Sequence, residues 1–437
     1  MTSNDEVFAL DRAHIFHSWS AQAALQPLVI AGGAGTELWD YEGKRYLDFS
    51  SQLVNVNIGH LHPRVVAAIQ EQAAILPTIN PAHANLARGR AARKILEHAG
   101  EGFDKVFFTN GGADAIENAI RIARGVTGRS KVLSAYRSYH GNTGAAITAT
   151  GDWRRMPNEY ATGHVHFWGP FPYRSEFWSD SPEQETERAL HHLERTIQAE
   201  GPQTIAAILL ETVPGTAGVF LPPPGYLAGV RDLADRYGIL WIADEVMAGF
   251  GRVGSWFAWQ HPEVNAERAV PDLITFAKGS NSGYVPVGGV IIPARHAAVF
   301  DERVFPGGLT YSGHPLAAAS VVATIEAMED EGIVEHAARI GAEELGPGLR
   351  RLQERHEIIG DVRGLGVFWA LDLVVDRATK EPVPAATIGA LKASLVAKGY
   401  LPFTADNRIH VVPPCNVTSP EIARGLAMLD EAFAELG

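Results

Sequence analysis

Leu273-Ile274-Thr275-Phe276-Ala277-Lys278-Gly279 is the stretch that decides how this chain reads. Its apolar and β-branched residues predict a short strand buried on both faces, and the run ends on an amine. Lys278 is the only lysine between Lys131 and Lys380. An ammonium drawn out of water is costly unless it is paired or loses its charge. A neutral lysine is a nucleophile that condenses with carbonyl groups. The plainer alternative is a lysine snorkelling from a strand end, so the neighbours must decide.

Outward from that run, short apolar strands alternate with amphipathic helices. Strands are expected at 105–110, 131–136, 204–210, 239–243, 273–277 and 287–292. Helices are expected near 62–76, 84–98, 112–125, 182–200 and 225–237. Such alternation predicts a mostly parallel sheet covered by helices on both faces. After Gly313-His314-Pro315 helices dominate, near 316–331 and 333–355. A strand near 367–374, a helix near 385–398, a strand at 408–412 and a helix at 419–435 follow. The first residues read as a helical start and then small antiparallel strands, with turns at Ala31–Gly35 and Tyr41–Lys44. The expected organisation is α/β. Residues 61–315 form a large domain, and 1–60 with 316–437 form a smaller α+β domain built from both chain ends.

Composition narrows the function. At 437 residues the chain is too long for one simple core. Its net charge of −13 argues against nucleic acid or an anionic membrane as partner. The single cysteine, Cys415, allows no internal disulfide and no thiolate metal cluster, which suits a reducing compartment. The acidic start Met1-Thr2-Ser3-Asn4-Asp5-Glu6 lacks the features of a signal peptide, and no apolar run approaches the ~18 residues of a membrane span. A cytoplasmic protein without a metal site is expected.

Sheets of this kind bind ligands at the carboxyl ends of their strands, and the residues found there form a set. Gly111-Gly112-Ala113 precedes a helix and offers free backbone amides to an anion. Tyr139-His140 follows the second strand, Glu211 the third and Asp244-Glu245-Val246 the fourth. Alone, each has a plain reading: a glycine turn, a packed aromatic pair, a structural ion pair. Together with Lys278 they are the parts needed to hold pyridoxal phosphate. Lys278 would bond its aldehyde, and Asp244 would keep its ring nitrogen protonated. Tyr139 and Val246 would cover the ring faces. Gly249-Phe250-Gly251-Arg252-Val253-Gly254 also satisfies the dinucleotide fingerprint. The following Ser255-Trp256-Phe257 is a poor helix start, and Asp272 precedes its strand instead of ending it. A loop that shapes the site wall is the better reading, and an NAD-dependent dehydrogenase stays a remote alternative.

Three segments resemble the class III, or omega, aminotransferases of PLP fold type I. They are Ile242–Gly254, Leu273–Gly289 and Leu309-Thr310-Tyr311-Ser312-Gly313-His314-Pro315. The resemblance covers nearly the whole chain and implies a PLP-dependent transaminase acting on an amine and a keto acid such as pyruvate. It implies that Thr310 reaches the neighbouring subunit's cofactor phosphate, hence a homodimer or tetramer with shared sites. It gives His140 and Glu211 places beside the cofactor, Glu211 tuning which carboxylate is admitted. Trp19, Leu53, Val54, Asn57 and Trp168 are then expected around the substrate. Ser51–His60 is closest to taurine–pyruvate and β-amino-acid members. Two departures stand out: Met247 replaces a glutamine of some branches, and Phe403 stands where an arginine usually grips the keto acid. Arg408 is the nearest arginine and the expected substitute. The same residues would also serve an aminomutase, decarboxylase or epimerase of this fold.

Overall fold

The computed structural model describes residues 2–159 and 161–436. Leu273–Phe276 is a fully buried strand inside a seven-stranded sheet. In chain order its strands are β1 (Phe103–Thr109), β2 (Lys131–Ala135), β3 (His164–Phe167) and β4 (Ile205–Glu211). β5 (Leu240–Asp244), β6 (Leu273–Phe276) and β7 (Gly288–Pro293) complete it. In space the order is β1-β7-β6-β5-β4-β2-β3. The pairs β2–β3, β2–β4, β4–β5 and β5–β6 are parallel, while β7 runs antiparallel to both β1 and β6.

Alternation within each strand assigns its two faces. Ala207, Leu209, Leu240 and Ile242 pack with Ile116, Ala119 and Ile120 of the helix Gly112–Thr127. Ile208, Leu210, Trp241 and Ala243 pack with Leu193 and Ile197 of Pro182–Glu200, and with Leu227 and Val230 of Tyr226–Tyr237. Both faces are therefore dry, which is why β4 to β7 read as unbroken apolar runs. Full burial of each such side chain contributes about 1.5–3 kcal/mol.

Two smaller sheets lie outside this layer. Gly32–Ala34, Glu37–Trp39 and Arg45–Asp48 form one, and Tyr400–Leu401 joins it in parallel register, Leu47 opposite Tyr400. The other is built on Ile359–Leu365, Phe368–Asp376, Arg408–Val411 and Phe403–Ala405. The helix expected over 333–355 is instead Ile333–Ile340, a π-helical turn at Gly341–Leu345, and Gly346–Arg355. Gly341 lies so close to Gly366 that a Cβ would come within 2.0 Å of its carbonyl oxygen, and the helix bulges at that contact. Among the described residues no helix is long and apolar enough to cross a membrane.

Candidate active site

Register builds the site. Glu211 ends β4 directly opposite Asp244, which ends β5 directly opposite Thr275 of β6. Three residues past Thr275 the chain turns, and Lys278 occupies the first position of the turn Lys278–Asn281. Its φ of +38° is a left-handed value that an L side chain adopts only when its surroundings enforce it.

Asp244 is buried and fully engaged. Its Oδ2 lies 2.7 Å from His140 Nδ1, and its Oδ1 accepts from Val246 N at 3.0 Å and from Thr275 Oγ1 at 3.3 Å. A carboxylate only accepts, so the His140 proton belongs on Nδ1. Glu211 has no cationic hydrogen-bond partner among the described residues. Its two oxygens accept from the backbone amides of Tyr139 and Gly215, each at 2.8 Å. Burial pushes the Glu211 carboxyl above its ordinary range, His140 opposes that rise and Asp244 adds to it. Burial pulls the Lys278 ammonium down, against the upward pull of Asp244 and Glu211, and Arg154 adds to the fall. The amine is held toward its neutral, nucleophilic form.

Above this row opens a cavity of about 440 Å³. Lys278, Tyr139, Trp19, Leu53, Phe403 and Arg408 all line it. Trp19 meets Tyr139 edge-on at 6.5 Å, and the Arg154 guanidinium lies over the Tyr139 ring at 3.7 Å. Arg408 is paired with Asp406, while its buried Nε has no hydrogen-bond partner.

Other expected residues lie elsewhere. Val54 is 1% exposed and packs in the core, and Asn57 is equally buried, so neither lines the cavity. Trp168 packs at a tilt against Tyr136 at 4.6 Å, with the Arg137 guanidinium over its ring at 4.9 Å. Gly111, Gly112, Ala113 and Val246 are not among the residues that line the cavity either, and Gly112 packs against Val246. A Cβ on Gly112 would come within 2.9 Å of Val246 Cγ1. The helix that starts there has no side-chain cap, so its first amides are free. Thr310 is exposed on this chain. The sequence reading missed Arg137, Asp152, Trp153 and Arg154, which also line the cavity. The signal was there in Gly151-Asp152-Trp153-Arg154-Arg155, an acid, an indole and two cations in one loop.

Residues 19–433 match the family model described as Aminotransferase class-III. The chain belongs to the class III aminotransferases. Among its relatives, the 5-aminovalerate aminotransferase of Pseudomonas aeruginosa is 34% identical over 94% of this chain and 95% of its own. The taurine–pyruvate aminotransferase of Rhodobacter capsulatus is 33% identical over 94% of this chain and 91% of its own. A solved taurine:2-oxoglutarate aminotransferase from Bifidobacterium kashiwanohense, in complex with PLP and glutamate, superposes with a TM-score of 0.94 at 41% identity. That match covers 100% of this chain and 98% of the other. An (S)-enantioselective omega-transaminase from Thermomicrobium roseum superposes at 0.93 with 35% identity, covering 100% of this chain and 99% of the other. As a class III aminotransferase the protein is a pyridoxal-phosphate-dependent transaminase with the PLP fold type I. The dehydrogenase reading of the glycine motif falls away.

Proposed function

We propose that this aminotransferase moves the amino group of an omega-amine or amino acid to a keto acid such as pyruvate in two successive half-reactions. The observation that carries this is the row Glu211, Asp244, Thr275 with Lys278 beyond it, under a cavity open to solvent. Taurine and 5-aminovalerate, named for two relatives, are terminal amines with an acidic group at the far end. Arg137, Arg154 and Arg408 in the cavity wall suit anionic substrates of that kind.

The residues fit the cofactor. The free amides at Gly111, Gly112 and Ala113 would take its phosphate, aided by Thr310 of a second copy. Asp244, oriented by His140, would hold a proton on the ring nitrogen, and Tyr139 and Val246 would flank the ring. Bound there, the cofactor supplies an electron sink for the pair left behind when the donor's α-proton departs. Lys278 would anchor the cofactor. Its Nζ, held toward the neutral form, would then take the donor's α-proton. Glu211 would tune which substrate carboxylate is admitted, and Arg408 would bind the carboxylate of the acceptor. Trp19, Leu53 and Phe403 exclude water around the amine's substituent.

The same reading makes the protein a cytoplasmic homodimer or tetramer. It divides the chain at residues 60 and 315, with the pairing of Leu47 and Tyr400 joining the two ends of the small domain. Borohydride reduction followed by peptide mapping tests the core of the proposal. A pyridoxyl tag on Lys278, with loss of the visible cofactor band in Lys278→Ala, is the expected result. A tag on another lysine, or transamination by Lys278→Ala at the wild-type rate, overturns it.

A further inference from the structure

The stretch Gly249–Gly254 contributes no side chain to the cavity, yet it carries an unusual residue. Arg252 is fully buried, and its hydrogen-bond acceptors among the described residues are neutral. They are the Pro413 carbonyl and Asn57 Oδ1, the latter at 2.7 Å. A buried guanidinium with neutral partners is a costly way to stabilise a fold, and such groups are better explained by a geometry they enforce. Asn57 shows which geometry. Its side-chain amide, aligned by Arg252, donates from Nδ2 to the Phe250 carbonyl at 2.7 Å, and the Asn57 backbone carbonyl accepts from Cys415 N at 2.7 Å. The same Nδ2 lies against Gly279. A Cβ built there would come 2.3 Å from Asn57 Nδ2 and 3.1 Å from Phe250 Cβ. Gly279 follows Lys278, whose backbone is in the left-handed region. The next residue, Ile58, donates its amide to Ser282 Oγ at 3.1 Å, at the far end of the same turn.

We propose that Asn57 and Arg252 are one positioning unit. They clamp Gly279 from below and fix the strained turn on which the Lys278 side chain swings, and they tie that turn to the Pro413–Cys415 segment. Neither residue lines the cavity. The consequence for catalysis rests on Lys278 being the reacting amine; the clamp itself does not.

The test is amide hydrogen exchange in the cofactor-loaded enzyme, read beside steady-state kinetics. In Asn57→Ala, amides 280–284 exchange about tenfold faster or more, while those of β4 stay within about twofold. Turnover falls about tenfold or more with the amine KM within about twofold, because the cavity wall is intact. Arg252→Met gives the same pattern, and the double variant is no worse than the worse single, as expected of two residues acting together. Asn57→Ser, a milder change, shows the same pattern at smaller size should the alanine variant fold poorly. Unchanged exchange at 280–284, a uniform rise across the protein, or independent effects that multiply in the double variant would each overturn the proposal. Faster exchange at the turn with a borohydride tag elsewhere than Lys278 would remove the lysine assignment and leave the clamp standing.

Discussion

A lysine can take a proton from carbon only while its own nitrogen is neutral, so the charges around Lys278 set the pH at which it works. Burial lowers its pKa most, Asp244 and Glu211 raise it, and Arg154 lowers it. Removing Arg154 removes a repelling cation, so the ammonium becomes easier to keep and the amine neutral only at higher pH. Arg154→Gln should therefore move the acid limb of the turnover–pH profile upward. A limb that stays in place or moves down would show that Arg154 does not act on the lysine. The second residue to question is Arg408. From the sequence it is only the arginine nearest to Phe403; in the fold both line one cavity, and the buried Arg408 Nε lacks a partner. A charge-assisted hydrogen bond to a carboxylate contributes about 1.5–3 kcal/mol. Arg408→Ala should thus raise the keto-acid KM about ten- to a hundredfold and leave the amine KM within about twofold. Equal changes in both constants would remove Arg408 from the acceptor site.

Elements succeed here because their ends meet at short range. The loop Tyr139-His140-Gly141 and the start of the helix Gly112–Thr127 touch through glycine. Gly141 has φ +130°, and a Cβ there would lie 2.5 Å from Ala113 Cβ. Gly141→Ala must push the loop from the helix, dragging His140 off Asp244 and the Tyr139 amide off Glu211. Strain of this sort costs about 1–3 kcal/mol, so the melting temperature falls and cofactor titration shows affinity weakened about tenfold or more. Unaltered cofactor affinity would mean that this contact does not shape the phosphate end. The strands around it are legible in the sequence because Ala207 to Leu210 and Leu240 to Ala243 are short, unbroken apolar runs, the pattern of a strand dry on both faces. β3 is not expected from the sequence: His164 and His166 alternate with Val165 and Phe167 as in a strand, but over only four residues at a sheet edge. Nor is the π-helical turn at 341–345, whose cause is Gly366, a contact distant in the chain. Val54 and Asn57 were expected at the substrate; their burial depends on how the 49–58 segment folds under the lysine turn, which no local pattern encodes. The charges of Gly151–Arg155 are visible in the sequence, but the position of Arg154 over the Tyr139 ring is set by tertiary packing.

Across the whole molecule, the C-terminal sheet meets the large sheet through buried polar groups. Asp372 is wholly buried and accepts from Arg174 at 2.7 and 3.0 Å and from Asn407 at 2.7 Å. His410, on the strand Arg408–Val411, lies with Nε2 3.0 Å from the Gly215 carbonyl, just beyond the end of β4. Burial first, and Arg408 next, pull the His410 imidazole down to about 3, and burial pulls His164 down to about 4. The sign of the linkage follows. Below the ordinary histidine value of 6.5 the unfolded chain takes up these protons and the folded chain does not, so stability is lost as pH falls from there toward 4 and then 3. Each such imidazole contributes a slope of up to about 1.4 kcal/mol per pH unit. His410→Gln keeps a donor for the Gly215 carbonyl and removes the titration. Urea unfolding followed at pH values between about 6.5 and 4.5 should give a flatter dependence for the variant, by close to one proton's slope, even if the variant is less stable at neutral pH. Parallel curves for the two proteins would mean that the wild-type imidazole is protonated within the fold, and that the junction between the two sheets opens to water before it breaks.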